Sequence, residues 1–156
     1  MEHYYFVSHW FVTGPIETVW QALAEIEKYP EWWHEFKKVT LTNPDHQMRI
    51  GAHHDWEAKS GLPYTLRYST ELIKMQSPCF LQFHICGDLE GDFRYVLEPR
   101  AGGTAVTFYW DNRTPKPIMN FAAKLPFVRG LFTANHTMLM DNGYRGLKAR
   151  IEGNAN

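Results

Sequence analysis

The sequence lacks the features that mark several large classes of protein. Only two of its 156 residues are cysteine, and 16 lysine and arginine residues nearly balance 17 aspartate and glutamate residues, for a net charge of −1. A basic nucleic-acid-binding surface is therefore not expected, since phosphate binding needs clustered positive charge. No hydrophobic run approaches the roughly 18 residues that a membrane-spanning helix needs. We expect a globular protein without a nucleic-acid partner or an integral membrane segment.

The two cysteines, Cys79 and Cys86, also argue against a disulfide-bonded fold. They lie an odd number of positions apart in one predicted strand, so their side chains point to opposite faces and cannot bridge. The first residues show no basic stretch followed by an apolar stretch, as a secretion signal would. Together these absences predict a cytoplasmic protein.

Motifs for nucleotide binding, nucleophilic catalysis and metal binding are missing as well. The sequence contains no glycine-rich phosphate loop, no serine nucleophile elbow and no paired cysteine or histidine ligand motif. His84 and Cys86 would share a strand face, but no further ligand pattern accompanies them. We therefore predict no metal and no cofactor.

What the sequence does contain is a large number of aromatic rings. Six tryptophans, eight tyrosines and ten phenylalanines make up 15% of the residues. Such rings line ligand cavities, and they also fill ordinary cores. Composition alone therefore leaves both interpretations open.

The spacing of apolar residues predicts the elements along the chain. Residues 3–13 alternate with period two and indicate a strand, whereas residues 15–28 and 31–36 indicate two short helices. Six further strands are predicted at 37–43, 50–59, 63–75, 79–86, 91–100 and 103–112. A long helix follows Pro117 and ends near Glu152. We expect residues 1–153 to form one domain and 154–156 a frayed tail.

This order of elements is typical of the helix-grip fold, an α+β architecture. Seven antiparallel strands form a curved sheet around the long C-terminal helix, and the two short helices follow the first strand. A sheet that curves around one helix leaves a space between the two. The two short helices are expected to close one end of that space.

Short motifs in the same order resemble those of a known superfamily. They are Gly14-Pro15-Ile16-Glu17-Thr18-Val19-Trp20, Tyr29-Pro30-Glu31-Trp32-Trp33, Gly87-Asp88-Leu89-Glu90-Gly91, Gly102-Gly103-Thr104, and Asn135-His136 with Met140, Gly143 and Gly146-Leu147. On these residues the chain resembles the START-like superfamily, also called SRPBCC, and within it the polyketide cyclase/dehydrase-like group. The motifs span nearly the whole chain, and most are residues that shape the fold, so the resemblance speaks to fold more than to activity.

The resemblance implies a ligand cavity between the sheet and the C-terminal helix. The first hypothesis is binding of a hydrophobic small molecule such as a lipid, an isoprenoid or a polyketide-like aromatic. The alternative is a polyketide cyclase/aromatase-like enzyme that uses an acid–base residue of the cavity, and a second alternative is a lipid or quinone chaperone. The sequence leaves open whether a reaction is catalysed, whether the protein touches a membrane surface, and whether it dimerises through a strand edge.

Strand and helix phase predict which side chains face that cavity. The predicted lining is Trp56, Tyr64, Leu66, Tyr68, Phe83, Tyr95, Phe108, Trp110, Phe121, Phe132, His136 and Met140. Acid–base chemistry needs a titratable group close to the substrate, and the candidates are His136, Tyr95 and His84.

Two adjacent tryptophans, Trp32 and Trp33, are predicted at the cavity entrance. Neighbouring residues on a helix point about 100° apart, so both rings cannot be buried on one side. We expect one indole in the core and the other nearer the mouth of the cavity, where it could gate entry or touch a membrane surface. The alternative is that the pair forms a hydrophobic contact that closes the domain.

Overall fold

A computed structural model describes residues 3–61, 65–113 and 126–153 of the protein. Its elements in chain order are β1 (His3–Val12), α1 (Ile16–Ala24), a 3₁₀ helix (Ile26–Glu31), β2 (Phe36–Leu41), β3 (His53–Ala58), β4 (Leu66–Gln76), β5 (Phe80–Gly87), β6 (Glu90–Arg100), β7 (Gly103–Arg113) and α2 (Pro126–Glu152). The part of the predicted long helix between residues 118 and 125 lies outside the described residues.

The seven strands form one antiparallel sheet. Their order is β1-β7-β6-β5-β4-β3-β2, so that β1 and β2 are the two edges and the first strand pairs with the last. The curved sheet and the C-terminal helix confirm the predicted helix-grip fold. Each predicted strand is present, with bounds within about three residues of the expectation.

Alternation along each strand explains why the sheet has one dry face and one wet face. In β6, for example, Phe93, Tyr95 and Leu97 are buried, whereas Arg94 between them is exposed. Because side chains of a strand alternate between faces, the buried set covers one surface, which we call the inner face. Rings and branched aliphatic side chains on that face pack against α1, the 3₁₀ helix and α2.

The N-terminal helices differ from the predicted ones. The expectation was a helix over 15–28 that Pro30 ends and a second helix over 31–36, but α1 ends at Ala24 and the 3₁₀ helix contains Pro30. Pro30 is compatible with the 3₁₀ helix because proline lacks only an N–H group, and the hydrogen bonds of this turn are donated by other residues. The backbone N–H groups of Trp32 and Trp33 both donate to the Tyr29 carbonyl, at 3.0 and 2.7 Å.

Polar contacts hold α2 against the inner face of the sheet. The Asn135 side chain accepts a hydrogen bond from the Gly61 N–H at 2.8 Å and bonds the Ser60 hydroxyl, both beyond the end of β3. Toward its other end, the Tyr144 hydroxyl reaches β1, where it bonds both the N–H and the carbonyl of Phe11, at 3.0 and 2.8 Å. The helix is therefore tied to both sides of the sheet.

Candidate functional site

A chain of contacting rings crosses the inner face from β4 to α2. Trp56 stacks on Tyr68 with ring centroids 5.7 Å apart and meets Phe93 edge-on at 6.2 Å. Phe93 stacks on Trp110 at 4.9 Å, and Trp110 meets the His136 ring edge-on at 5.7 Å. We call these five residues the aromatic row. Offset and edge-on pairs of this kind are favourable geometries for aromatic rings.

Polar atoms without partners mark one end of this row. The Nε1 of Trp110, the Oδ1 of Asn112 and the Nε2 of His136 are buried, and none has a hydrogen-bond partner in the part of the chain that the structure describes. Trp110 and Asn112 lie two positions apart on β7 and share the inner face. An unsatisfied buried polar group costs about 1–3 kcal/mol, so three together are unusual. A ligand that pairs with them would recover that free energy.

Some other buried polar groups of the core are satisfied within the protein. The Trp56 indole N–H donates to the Thr70 hydroxyl at 2.9 Å. The Tyr29 hydroxyl donates to the Leu23 carbonyl at 2.6 Å and contacts the Tyr95 hydroxyl at 3.3 Å. Three of the buried polar atoms that have no partner among the described residues thus lie near the meeting point of β1, β7 and α2, and others lie on Trp32, Glu35 and His54.

His136 is held between two rings at that place. Its imidazole stacks on Phe6 of β1 with centroids 3.9 Å apart, and Trp110 packs against its edge. Burial lowers the pKa of His136 to about 4, because desolvation disfavours the charged imidazolium. At neutral pH the ring is uncharged, with one donor nitrogen and one acceptor nitrogen.

The structure separates the three predicted acid–base residues. His136 projects from α2 against Phe6 and Trp110, and its Nε2 has no partner among the described residues. Tyr95 lies on the inner face, but its hydroxyl contacts Tyr29, and burial raises the pKa of Tyr95 well above the ordinary range. His84 lies on the opposite, outer face, where it is exposed and contacts Asp92 at 3.1 Å. The expectation that His84 could act in the same cavity is therefore wrong.

Most of the predicted lining residues lie on the inner face. Buried there are Trp56, Tyr68, Phe83, Tyr95, Phe108 and Trp110, and Leu66 is half-buried; on α2, Met140 is buried and His136 is half-buried. Tyr64, Phe121 and the side chain of Phe132 lie outside the described residues. Which of these side chains touch a ligand remains a prediction.

The expectation for the tandem tryptophans is wrong. Both are buried, with exposed fractions of 8% for Trp32 and 0% for Trp33, so neither stands exposed at an entrance. They follow the 3₁₀ helix in an irregular turn, where the angular spacing of an α-helix does not apply. The Trp33 indole N–H donates to the Leu139 carbonyl of α2 at 2.9 Å. The pair packs against α2, where Gly143 and Gly146 leave room for the two side chains.

Two polar residues of the inner face were not among the predicted site residues. Asn112 has the same strand phase as Trp110, and a polar residue in an otherwise apolar phase was the available signal. His54 of β3 is fully buried, and neither ring nitrogen has a hydrogen-bond partner among the described residues. The Glu27 carboxylate is 3.9 Å from the His54 Nε2 and half-exposed, and burial lowers the pKa of His54 to about 4.

Neither a metal centre nor a membrane span is evident in the described ranges. Residues 3–61, 65–113 and 126–153 contain no cluster of three or more histidine, cysteine or carboxylate side chains that could hold a metal ion. None of the helices described is both long and apolar enough to cross a membrane.

Comparison with known proteins identifies the family of this chain. The family model described as polyketide cyclase / dehydrase and lipid transport matches residues 8–152. Among curated proteins, none matches the sequence significantly.

Solved structures share the fold at low sequence identity. The ZhuI aromatase/cyclase from a Streptomyces species has a TM-score of 0.80 at 10% identity, covering 99% of this chain and 97% of that one. A START superfamily protein from Mycobacterium smegmatis has a TM-score of 0.75 at 14% identity, covering 97% and 99%. The di-domain ARO/CYC StfQ from the steffimycin biosynthetic pathway has a TM-score of 0.69 at 16% identity, covering 98% of this chain and 52% of that one.

Proposed function

Because the chain belongs to the polyketide cyclase/dehydrase and lipid transport family, we propose that it binds a hydrophobic small molecule between the inner face and α2. The family match confirms the resemblance seen in the sequence motifs. The observation that carries the proposal is the group of three buried, unpaired polar atoms at the end of the aromatic row. A purely structural core would leave them unsatisfied, whereas a ligand with matching polar groups would pair with them.

Two of the three atoms also indicate which polar groups the ligand carries. The Trp110 indole N–H can only donate, so it requires an acceptor such as a carbonyl. The Asn112 Oδ1 can only accept, so it requires a donor such as a hydroxyl. The rings of the row favour a flat or isoprenoid-like body. We therefore propose a lipid, isoprenoid or polyketide-like aromatic that carries both a carbonyl and a hydroxyl group.

We expect the freshly purified protein to retain such a molecule. Native mass spectrometry should show a bound mass of a few hundred daltons that is lost on denaturation, and an emptied protein should bind an apolar fluorophore with saturation. The retained molecule and the fluorophore should compete for the same site. A protein that carries no molecule and shows no saturable binding would contradict the proposal.

Removing single polar atoms should weaken binding without removing the cavity. Trp110→Phe deletes the indole N–H, and Asn112→Leu deletes the amide oxygen, so each should weaken binding of a carbonyl- and hydroxyl-bearing aromatic about two- to tenfold, the value of one hydrogen bond. Trp10→Phe is the matched control, because Trp10 is buried next to Tyr144 at the other end of β1. Equal weakening in all three variants would indicate a loss of packing and not of specific pairing.

Catalysis is a second candidate function, and the surroundings of His136 support it. His136 combines an unpaired nitrogen with an aromatic surround, as a proton transfer to an enolisable ketone would require. If the protein is a polyketide cyclase/aromatase-like enzyme, His136→Gln should abolish turnover of a poly-β-ketone substrate while retaining its binding. Loss of binding alone would favour the carrier function.

A further inference from the structure

The two edges of the sheet are built differently. At one edge, β2 is six residues long, carries exposed Lys37 and Lys38, and shifts register against β3 between Phe36 and Lys38. Short length, lysine and irregular pairing are the devices by which proteins protect a free edge from pairing with another chain.

The other edge, β1, has none of these devices. It is ten residues long, pairs with β7 without a register shift, and contains no lysine, arginine, aspartate, glutamate or proline. Along its outer face Tyr5, Val7 and Phe11 are exposed, at 58%, 42% and 38%. Long, regular, uncharged and apolar edges are the kind that accept another strand.

Side chains from α2 show which backbone groups of β1 point away from the sheet. The N–H and the carbonyl of Phe11 both bond the Tyr144 hydroxyl, and the N–H of Thr13 donates to the Glu152 carboxylate at 3.2 Å. Backbone groups of an edge strand alternate in direction with period two. Tyr5, Val7 and His9 therefore also direct their N–H and carbonyl groups outward, and of the described strands none pairs with that side.

We propose that this edge pairs, antiparallel and about a two-fold axis at Phe6, with β1 of a second copy of the chain. That register places Tyr5 opposite Val7 of the other copy, and Val7 opposite Tyr5, as hydrogen-bonded pairs. Aromatic side chains opposite β-branched ones are favourable cross-strand neighbours. Because β1 contains no lysine, arginine, aspartate or glutamate, no such charges of the two copies of β1 face each other.

The alternative register, centred on Val7, fits less well. It would bring Phe11 into the pairing, where the Tyr144 hydroxyl already occupies both backbone groups. The register centred on Phe6 ends before Phe11, so Tyr144 and Glu152 mark the limit of the paired segment. The two sheets then form one continuous surface, with each helix α2 remaining against its own inner face.

Sedimentation velocity across a concentration series tests the interface. We expect a reversible dimer that Val7→Lys weakens at least tenfold, because the substitution gives β1 the charge that protects β2. Ile73→Lys is the matched control, since Ile73 is a similarly exposed outer-face residue of the interior strand β4 and should leave the dimer intact. Tyr5→Lys serves as a second edge variant if Val7→Lys does not fold.

Cross-linking tests the register. In a background with Cys79→Ser and Cys86→Ser, a Tyr5→Cys chain mixed with a Val7→Cys chain should form an intermolecular disulfide, since opposite residues of a hydrogen-bonded pair have Cα atoms about 5.5 Å apart. Neither chain alone should cross-link efficiently. A monomer at all concentrations, a dimer indifferent to Val7→Lys, or cross-linking of Val7→Cys with itself would each overturn the proposal.

Discussion

Replacing Gly146 with alanine should lower the free energy of unfolding by about 3 kcal/mol or more. A Cβ atom at this position would lie 1.8 Å from the backbone carbonyl oxygen of Trp32, a contact that only movement of the backbone can relieve. Overpacking of a well-filled core typically costs 1–3 kcal/mol, and contact with backbone places this site at the upper end. Urea unfolding followed by circular dichroism measures the change.

The same helix contains a matched control. Gly130 has no described atom within 4 Å of an added Cβ, so Gly130→Ala should be neutral or stabilise by about 0.5–1 kcal/mol through helix propensity alone. Equal destabilisation of both variants would show that α2 does not pack on Trp32 as described.

Gly143 allows a test of which side chain packs against α2. Its added Cβ would lie 2.3 Å from the Trp33 ring, and a side chain, unlike a backbone carbonyl, can be shortened. Gly143→Ala should therefore be partly rescued by Trp33→Phe, with a coupling free energy of about 1 kcal/mol or more in a double-mutant cycle. Strict additivity of the two substitutions would contradict the contact.

Acidification from pH 7 to pH 5 should lower the free energy of unfolding by about 4 kcal/mol through two histidines alone. His54 and His136 each have a folded-state pKa lowered to about 4, whereas an unfolded histidine titrates near 6.5. Below pH 6.5 the unfolded state takes up protons that the folded state refuses, so stability falls by about 1.4 kcal/mol per pH unit and group. The loss continues through the folded-state pKa and ends at about pH 3, and above about pH 7.5 these groups contribute almost no slope.

Single substitutions should show how much of this pH dependence comes from each histidine. Burial is the largest cause of the low pKa of His54, and the charge of His53 lowers the pKa further, whereas Asp55 raises it. The Glu27 carboxylate, 3.9 Å away, is half-exposed. His54→Leu and His136→Leu should each remove about half of the slope between pH 7 and 5, and the double variant nearly all of this part. Unfolding curves at fixed pH values test this, and an unchanged slope in both single variants would contradict it.

Local periodicity specified the sheet well. The predicted strand at 91–100 is observed as Glu90–Arg100, because alternation between Phe93, Tyr95 and Leu97 and their polar neighbours is decided by which face is buried. The same phase placed Trp56, Tyr68 and Trp110 on the inner face. A strand pattern thus reports the face on which a ring lies.

The pattern does not report what lies opposite that face. Trp32 and Trp33 are both buried because Gly143 and Gly146, more than a hundred positions later, leave room for them. His84 has a phase that places it outside, and only the assembled sheet shows it beside Asp92. Likewise, among the described residues the Asn112 Oδ1 and the His136 Nε2 are left without partners only because three elements meet there, which no single segment contains.

The pairing of β1 with β7 has a consequence for synthesis. His3 lies opposite Arg113, so the first strand to leave the ribosome has no partner in the sheet until the last strand is made. At about 5–20 residues per second, some 110 residues take roughly 5–20 s, during which a long uncharged segment with exposed rings stays unpaired. Pairings this distant in sequence also form slowly, because loop closure precedes any stabilising contact. The nascent chain should therefore depend on a chaperone over this interval more than its modest size suggests.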